Sequence, residues 1–280
     1  MKIYIFGANG YFGSHFTEYY QAQGDTVFTD RIDVTDSAVV ISTLKNAQPD
    51  VVINCAGKTG FPNVDWCESN KTETAQVNIF GALNIARACE SLGIYMVHIG
   101  SGCIYAGNGR SGNGFTEKEP ANFFGSFYSQ TKAVSEQMLS EFNPLQLRVR
   151  IPIEGKPGTK NVIDKLLKYE RVVSIENSFT IVEDFIPASA ELIKRRERGI
   201  FNMTNQGAMD HKFLMELYRE IVDPSRSFDY MTESEMNAIT KAPRSNCTLD
   251  VSKREGLGIC MPELKERMTE ILRAYRLNKK

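Results

Sequence analysis

The feature that most constrains this chain is Gly7-Ala8-Asn9-Gly10-Tyr11-Phe12-Gly13, which follows the apolar run from Ile3 to Phe6 with no loop between them. Three glycines in seven residues, placed after a strand-length run and before an amphipathic stretch, suit a strand-to-helix turn whose backbone N–H groups must approach an anion. The helix opened by such a turn presents its N-terminal N–H groups, and roughly half a positive charge, to the same point. A pyrophosphate fits there without any lysine. The spacing is G-x-x-G-x-x-G, so the motif taken alone also reads as a tight turn with no ligand.

Strand-length apolar runs recur from Thr26 to Thr29, Val51 to Asn54, Tyr95 to Ile99 and Leu145 to Val149. Between them lie helical candidates over roughly Tyr11 to Gln23, Ser37 to Ala47, Glu73 to Leu92 and Phe127 to Phe142, with Gly24 and Gly93 as stops. Alternation of this kind predicts an α/β fold, a Rossmann-type doubly wound parallel sheet, over residues 1–150. Past residue 151 the alternation becomes irregular around Pro152, Gly155, Pro157 and Gly158. Residues 151–280 therefore read as a smaller α/β substrate-binding lobe, with a return of the chain to the core left open. The stretch from Gly100 to Gly125, rich in Gly, Asn and Ser, reads as an unpacked active-site flap or a surface loop.

A chain of 280 residues that is 42% apolar can bury a core of this size. Its 33 basic and 34 acidic residues leave a net charge of -1, which gives no reason to expect a nucleic-acid or membrane partner. The first apolar run is too short for a signal sequence or a membrane span. The six cysteines, at 55, 67, 89, 103, 247 and 260, lack metal-type spacing, so no metal is expected and reduced thiols in a cytoplasmic protein are.

At the end of the second strand, Asp30 could accept from a ribose hydroxyl, whereas Arg31 would attract a 2′-phosphate. NADH and NADPH both stay open. Asp33 and Val34, together with Cys55, Ala56 and Gly57 after the third strand, complete the cofactor candidates alongside the glycine turn. Tyr128 and Lys132 lie four residues apart on a predicted helix and share one face. A phenol titrates near 10, and a fixed ammonium nearby would lower it, each unit being worth about 1.4 kcal/mol. Ser101, just after the fourth run, could give a second hydrogen bond to the same substrate oxygen.

In their order and distances, the glycine turn, Ser101, Tyr128 and Lys132 resemble the short-chain dehydrogenase/reductase superfamily over the first 150 residues. Asp33-Val-Thr-Asp36 and Gln48-Pro-Asp-Val-Val-Ile-Asn54 resemble its dTDP-4-dehydrorhamnose reductase branch. The segment from Ala56 to Thr74, Gly102-Cys-Ile104, Phe124-Gly-Ser-Phe-Tyr-Ser129 and Ala242-Pro-Arg-Ser-Asn246 resemble the nucleotide-rhamnose synthases of plants, which are epimerase/reductases. The plant proteins carry threonine at the Ser101 position, which keeps the hydroxyl, and they differ over residues 152–158.

The resemblance implies a 3,5-epimerase/4-reductase acting on UDP- or dTDP-4-keto-6-deoxyglucose with NAD(P)H. It implies Cys103 and, in Asn161-Val-Ile-Asp-Lys165, Lys165 as the epimerisation acid/base pair. It places Arg244, Asn63, Glu68, Gly102 and Asn161 at the nucleotide sugar, with an upstream 4,6-dehydratase as pathway neighbour; the oligomeric state stays open, a homodimer being one option. The chemistry is consistent: protons on C3 and C5 become acidic only while the C4 oxygen is stabilised as an enolate, so one oxygen pocket serves both reactions. Two alternatives keep the fold, a monofunctional 4-keto-sugar reductase and a non-catalytic NAD(P)-binding regulatory subunit.

Overall fold

The computed structural model describes residues 1–279. Its ten strands are Lys2–Phe6 (β1), Thr26–Phe28 (β2), Val51–Asn54 (β3), Tyr95–Ser101 (β4), Leu145–Val149 (β5), Pro152–Ile153 (β6), Arg171–Val173 (β7), Thr180–Ile181 (β8), Gly199–Asn202 (β9) and Asp229–Met231 (β10). Six of them form one sheet in the order β2-β1-β3-β4-β5-β9, and every pairing in it is parallel. All seven residues of β4 are buried, as a central strand covered on both faces requires.

Helices cover the two faces with separate apolar layers. One layer centres on Phe16, Tyr20, Phe185 and Leu192, the other on Val40, Leu44, Ile85 and Leu139. Local chemistry sets the helix ends. The Asp36 carboxylate accepts from the N–H groups of Ala38 and Val39 at 2.9 and 3.1 Å and starts the Ser37–Ala47 helix. Gly93 ends Ala82–Leu92 at φ 67°, a left-handed cap for which glycine has no Cβ penalty.

The chain does return to the sheet. The Val182–Lys194 helix packs Phe185 edge-on against Phe12 and Phe16, and β9 then pairs with β5. Residues 182–202 thus belong to the layered core, and a cut at residue 150 does not separate two independent sheets. The remaining C-terminal elements enclose a second apolar cluster around Phe179, Leu214, Tyr218, Met268 and Tyr275, edged by two short parallel pairs, β6–β8 and β7–β10.

Two elements differ from the sequence pattern. The single helix expected from Glu73 to Leu92 is instead Lys71–Ala75, a π-helical stretch Gln76–Gly81, and Ala82–Leu92. The wider turn lets Gly81 lie on Val34, where a Cβ would sit 2.6 Å from a methyl carbon. Asn78, in the same stretch, points inward to bond the Lys58 backbone and Thr131. The Gly100–Gly125 segment is not an unpacked flap either. Tyr105 and Phe115 flank its glycines, stack at 4.2 Å, and join Cys247 and Leu249 in a buried cluster, leaving mainly the tip exposed.

Candidate active site

Between β1 and β3 the chain has crossed out to β2 and back, which makes their carboxyl ends the switch point where a parallel sheet binds ligands. A cavity of about 800 Å³ opens there, within the usual range for a small-molecule site. Gly7, Asn9 and Gly10 line it, as do Asp30, Arg31, Asp33 and Val34 on one side and Cys55, Ala56 and Gly57 on the other. Gly7 has φ 74°, and a Cβ on it would lie 2.7 Å from the Ala56 nitrogen. The Tyr11–Ala22 helix begins at Gly10 with no side-chain cap and no acidic residue in its first turn. Its N-terminal N–H groups are therefore left to an incoming anion. A cradle that excludes any Cβ, next to an uncapped helix start, fits a dinucleotide pyrophosphate.

Tyr11 and Phe12 do not line this cavity. Their side chains pack against the core, so what they can offer a cofactor is their main chain. The Asp33 carboxylate accepts from the N–H and hydroxyl of Thr35 at 2.9 and 2.8 Å, bonds that hold it below the usual carboxylate range and shape the loop after β2. Asp30 accepts weakly from the Tyr4 hydroxyl at 3.4 Å. Gly13 is set deeper, where a Cβ would fall 2.2 Å from the Gly7 carbonyl oxygen. Gly13→Ala is expected to weaken NADPH binding at least about tenfold, or 1.4 kcal/mol, and to lower the melting temperature. Fluorescence titration and a thermal melt would check both, and an unchanged affinity would dissociate this turn from the cofactor.

One strand further along the same edge, β4 ends at Ser101, two residues before Cys103. The Phe127–Ser140 helix brings Tyr128 and Lys132 toward them. Its start is held by Ser126, whose hydroxyl accepts from the Ser129 N–H at 3.1 Å, and by Glu68, which accepts from the Phe127 N–H at 2.6 Å. Glu68, expected at the substrate, thus spends one carboxylate oxygen on positioning this helix. The Tyr128 phenol lies beside Ser101 and Cys103. Burial and then Cys103 push it above its ordinary value, while Ser101 pulls the other way.

This corrects the expectation of a lowered Tyr128, since burial outweighs any pull from Lys132. The Lys132 amine donates instead to the Ile99 carbonyl at 3.0 Å and lies 3.4 Å from His98 Nε2. Burial pushes it down to about 8. Asn54 anchors this chain of contacts: its Oδ1 accepts from the Ala56 N–H at 3.0 Å, which leaves Nδ2 to donate to His98 Nδ1 at 3.1 Å. The imidazole is kept neutral, first by burial and then by Lys132.

Arg150 is the functional candidate that the sequence pattern hid. It is 4% exposed; its Nη1 donates to Cys103 Sγ at 2.9 Å, its Nε to Asn177 Oδ1 at 3.2 Å, and its Nη2 to Asn177 and the Ser245 carbonyl. The signal was present in Leu145-Gln-Leu-Arg-Val-Arg150, where strand alternation puts two arginines on one face of an apolar run. Arg148 is answered by Glu136 through two bonds of 2.6 and 2.7 Å. Arg150 has no carboxylate partner among the described residues.

The other expected contacts are scattered. Asn161 is completely buried, its amide bonded to the Glu154 and Lys156 carbonyls and its oxygen to the Ile163 N–H. Both ends are used on the main chain, so it offers nothing to a substrate here. Lys165, in the one-turn Val162–Leu166 helix, has an exposed side chain. Its amine makes no hydrogen bond or ion pair among the described residues. Partial desolvation and then Lys160 lower its pKa. No contact joins it to Cys103. Gly102 is packed under Leu249, which a Cβ would meet at 2.9 Å.

Arg244 donates to Asp65 Oδ1 at 2.7 Å and to the Ala242 carbonyl at 2.8 Å, holding the Asp65 carboxyl below its usual range. Asn63 accepts from the Asp65 N–H at 2.9 Å. These bonds tie residues 242–246 to the turn around Trp66, and the sequence reading had missed Asp65 as the partner. Among the described residues no cluster suited to a metal ion is present, and no helix is long and apolar enough to cross a membrane.

A doubly wound parallel sheet, a glycine turn at its switch point, and a Ser–Tyr–Lys set along the next strand define an NAD(P)-dependent enzyme of the extended short-chain dehydrogenase/reductase class. A match to the family described as RmlD substrate binding domain spans residues 1–277, and the chain belongs to that family. It is 39% identical over 255 residues to an Arabidopsis thaliana protein named bifunctional dTDP-4-dehydrorhamnose 3,5-epimerase/dTDP-4-dehydrorhamnose reductase, covering 89% of this chain and 85% of the relative. It is also 39% identical to a trifunctional UDP-glucose 4,6-dehydratase/3,5-epimerase/UDP-4-keto-L-rhamnose-reductase of the same plant, with 90% of this chain covered but only 39% of that longer protein. The crystal structure of the L780 UDP-rhamnose synthase of Acanthamoeba polyphaga mimivirus is similar with a TM-score of 0.93 at 32% identity, over 98% of this chain and 99% of that one.

Proposed function

We propose that this enzyme converts a UDP- or dTDP-4-keto-6-deoxyglucose to the corresponding L-rhamnose nucleotide by 3,5-epimerisation and 4-reduction. The observation that carries this reading is the meeting of Ser101, Tyr128 and an arginine-bonded Cys103 at one corner of the sheet edge, beside the dinucleotide cavity. Relatives whose names state both activities support it.

A bound NADPH or NADH, held by the glycine turn and the residues after β2 and β3, supplies the hydride. Ser101 and the neutral Tyr128 phenol donate hydrogen bonds to the C4 oxygen, and Tyr128 passes its proton to that oxygen as reduction proceeds. With the same oxygen stabilised, Cys103 removes a proton from the neighbouring carbon. Inversion needs a second group on the opposite face of the sugar, which is the role assigned to Lys165. Lys132 stabilises the negative charge left on Tyr128, and Arg244 and Asn63 meet the nucleotide part. A separate 4,6-dehydratase in the cytoplasm would supply the 4-keto sugar.

Lys132 gives this reading a pH dependence. Its active form is the ammonium, which is present below its folded-state value of about 8 and lost as pH rises through it. The kcat/KM for reduction is therefore expected to fall by about tenfold per unit above pH 8. A profile that stays flat to pH 10 would remove Lys132 from the proton chemistry.

The experiment that tests the whole reading is NMR of the sugar protons in heavy water with UDP-4-keto-6-deoxyglucose, first without and then with NADPH. Deuterium at C3 and C5 before cofactor, followed by rhamnose configuration, is expected. Cofactor oxidation without exchange would leave a monofunctional reductase. Neither signal, with the dTDP sugar and NADH also tried, would leave a binding protein.

A further inference from the structure

We propose that Arg150 holds Cys103 as the thiolate and thereby prepares it to act as the base of epimerisation, an inference that rests on the function proposed above. The case is one of unmatched charge. A guanidinium does not deprotonate and is costly to bury unless an anion answers it. Arg150 is almost fully enclosed, and its polar contacts are the neutral Asn177 amide, the Ser245 carbonyl and the Cys103 sulfur. Those contacts fix the plane of the guanidinium and leave Nη1 aimed at Sγ from 2.9 Å.

The titratable groups around this cation leave one candidate for the anion. Cys247, on the segment after Asn246, donates its S–H to the Gly102 carbonyl at 3.2 Å, and burial pushes its thiol up. Tyr128, from the Phe127–Ser140 helix, is likewise raised, chiefly by burial. Cys67, from the Asp65–Ser69 helix, is raised by desolvation. His211, at the start of the His211–Ile221 helix, is pushed down to about 4, by burial and then by Arg150, and adds no charge near neutrality. Lys132 and Arg148 are further cations, and Arg148 already pairs with Glu136. Cys103, half-buried and next to the substrate oxygen site, is the one among them whose side chain is bonded directly to the guanidinium.

In the step this serves, a sulfur lone pair forms the S–H bond to a C3 or C5 proton, and the C–H electrons move through the carbon–carbon bond to the C4 oxygen. The reverse, with a proton returned to the other face, restores the ketone. No oxidant or reductant is consumed. Arg150 is a positioning residue here, since it acts on the substrate only through Cys103.

The test compares iodoacetamide labelling of Cys103, resolved from the other cysteines by peptide mass spectrometry, in the wild type, Arg150→Gln and Arg150→Lys across pH 5 to 10. The expected result is a labelling rate at pH 7 at least about tenfold lower in Arg150→Gln, a labelling midpoint raised by a unit or more, and partial rescue in Arg150→Lys. The pH profile of C3/C5 deuterium exchange should move by the same amount. Labelling curves that coincide in wild type and Arg150→Gln would overturn the proposal. If Arg150→Gln does not fold, thiolate absorbance at neutral pH decides instead: wild type minus Cys103→Ala should show close to one thiolate, and no difference would overturn it. Labelling needs no sugar, so thiolate character without any deuterium exchange would sink the proposed epimerisation while leaving the Arg150–Cys103 assignment standing.

Discussion

Tyr128→Phe is expected to slow reduction of the 4-keto sugar by about 10³-fold, the middle of the range for losing a positioned general acid. The phenol stays protonated near neutrality because it is buried beside Cys103, and a neutral phenol is what reduction consumes. Phenylalanine keeps the ring and its packing, so the loss should fall on kcat. Exchange of the C3 and C5 protons should suffer less, by roughly tenfold, because Ser101 still donates to the enolate oxygen. Following NADPH oxidation and deuterium entry in the same sample separates the two. Equal losses in both would mean that Tyr128 works mainly as an enolate stabiliser.

Cys103→Ala should do the reverse. Deuterium exchange is expected to drop by at least about 10³-fold, while reduction of an already epimerised 4-keto-L-rhamnose nucleotide stays within about threefold. The substitution removes the sulfur that Arg150 Nη1 bonds, but it spares the serine for a structural reason. It is the Cys103 backbone N–H, not its side chain, that donates to Ser101 Oγ at 3.1 Å, so alanine leaves the serine where it was. Preserved exchange would move the base elsewhere. Lost reduction on the epimerised substrate would show that the thiol supports both steps.

The sheet was the legible part of this chain, because Ile3–Phe6 and Val51–Ile53 are uninterrupted apolar runs that lead into small residues, and β4 and β5 are mostly apolar. Gly24 and Gly93 marked helix ends for the same local reason. The sixth strand was not legible: Gly199-Ile-Phe-Asn202 is short, and only its partner β5 makes it a strand. Tyr105 and Phe115 were lost inside a glycine-rich stretch, since the residues they pack on, Cys247 and Leu249, lie more than a hundred positions away. In the site, Tyr128 and Lys132 could be paired by helical spacing, but the partners of Lys132 could not. His98 reads as one more residue of an apolar strand until the fold sets it between Asn54 and the lysine. Arg150 was visible as a charge in the wrong place, without the contacts that explain it. Asn161 shows the opposite failure: a polar residue in a recognised segment was expected at the substrate, and its local backbone uses all of it.

The return of the chain to place β9 beside β5 also has a consequence for how the molecule is made. β5 ends at Val149 and β9 begins at Gly199, so on the ribosome about fifty residues must follow before β5 gains its second neighbour, roughly 3 to 10 s at ordinary elongation rates. During that interval the nascent chain carries an open strand edge, and the apolar surface that the Val182–Lys194 helix will cover is bare. Such an edge is a template for pairing with another chain. A fragment ending at residue 150 leaves β5 permanently as this edge and should aggregate, whereas one extended through residue 202 covers β5 with β9.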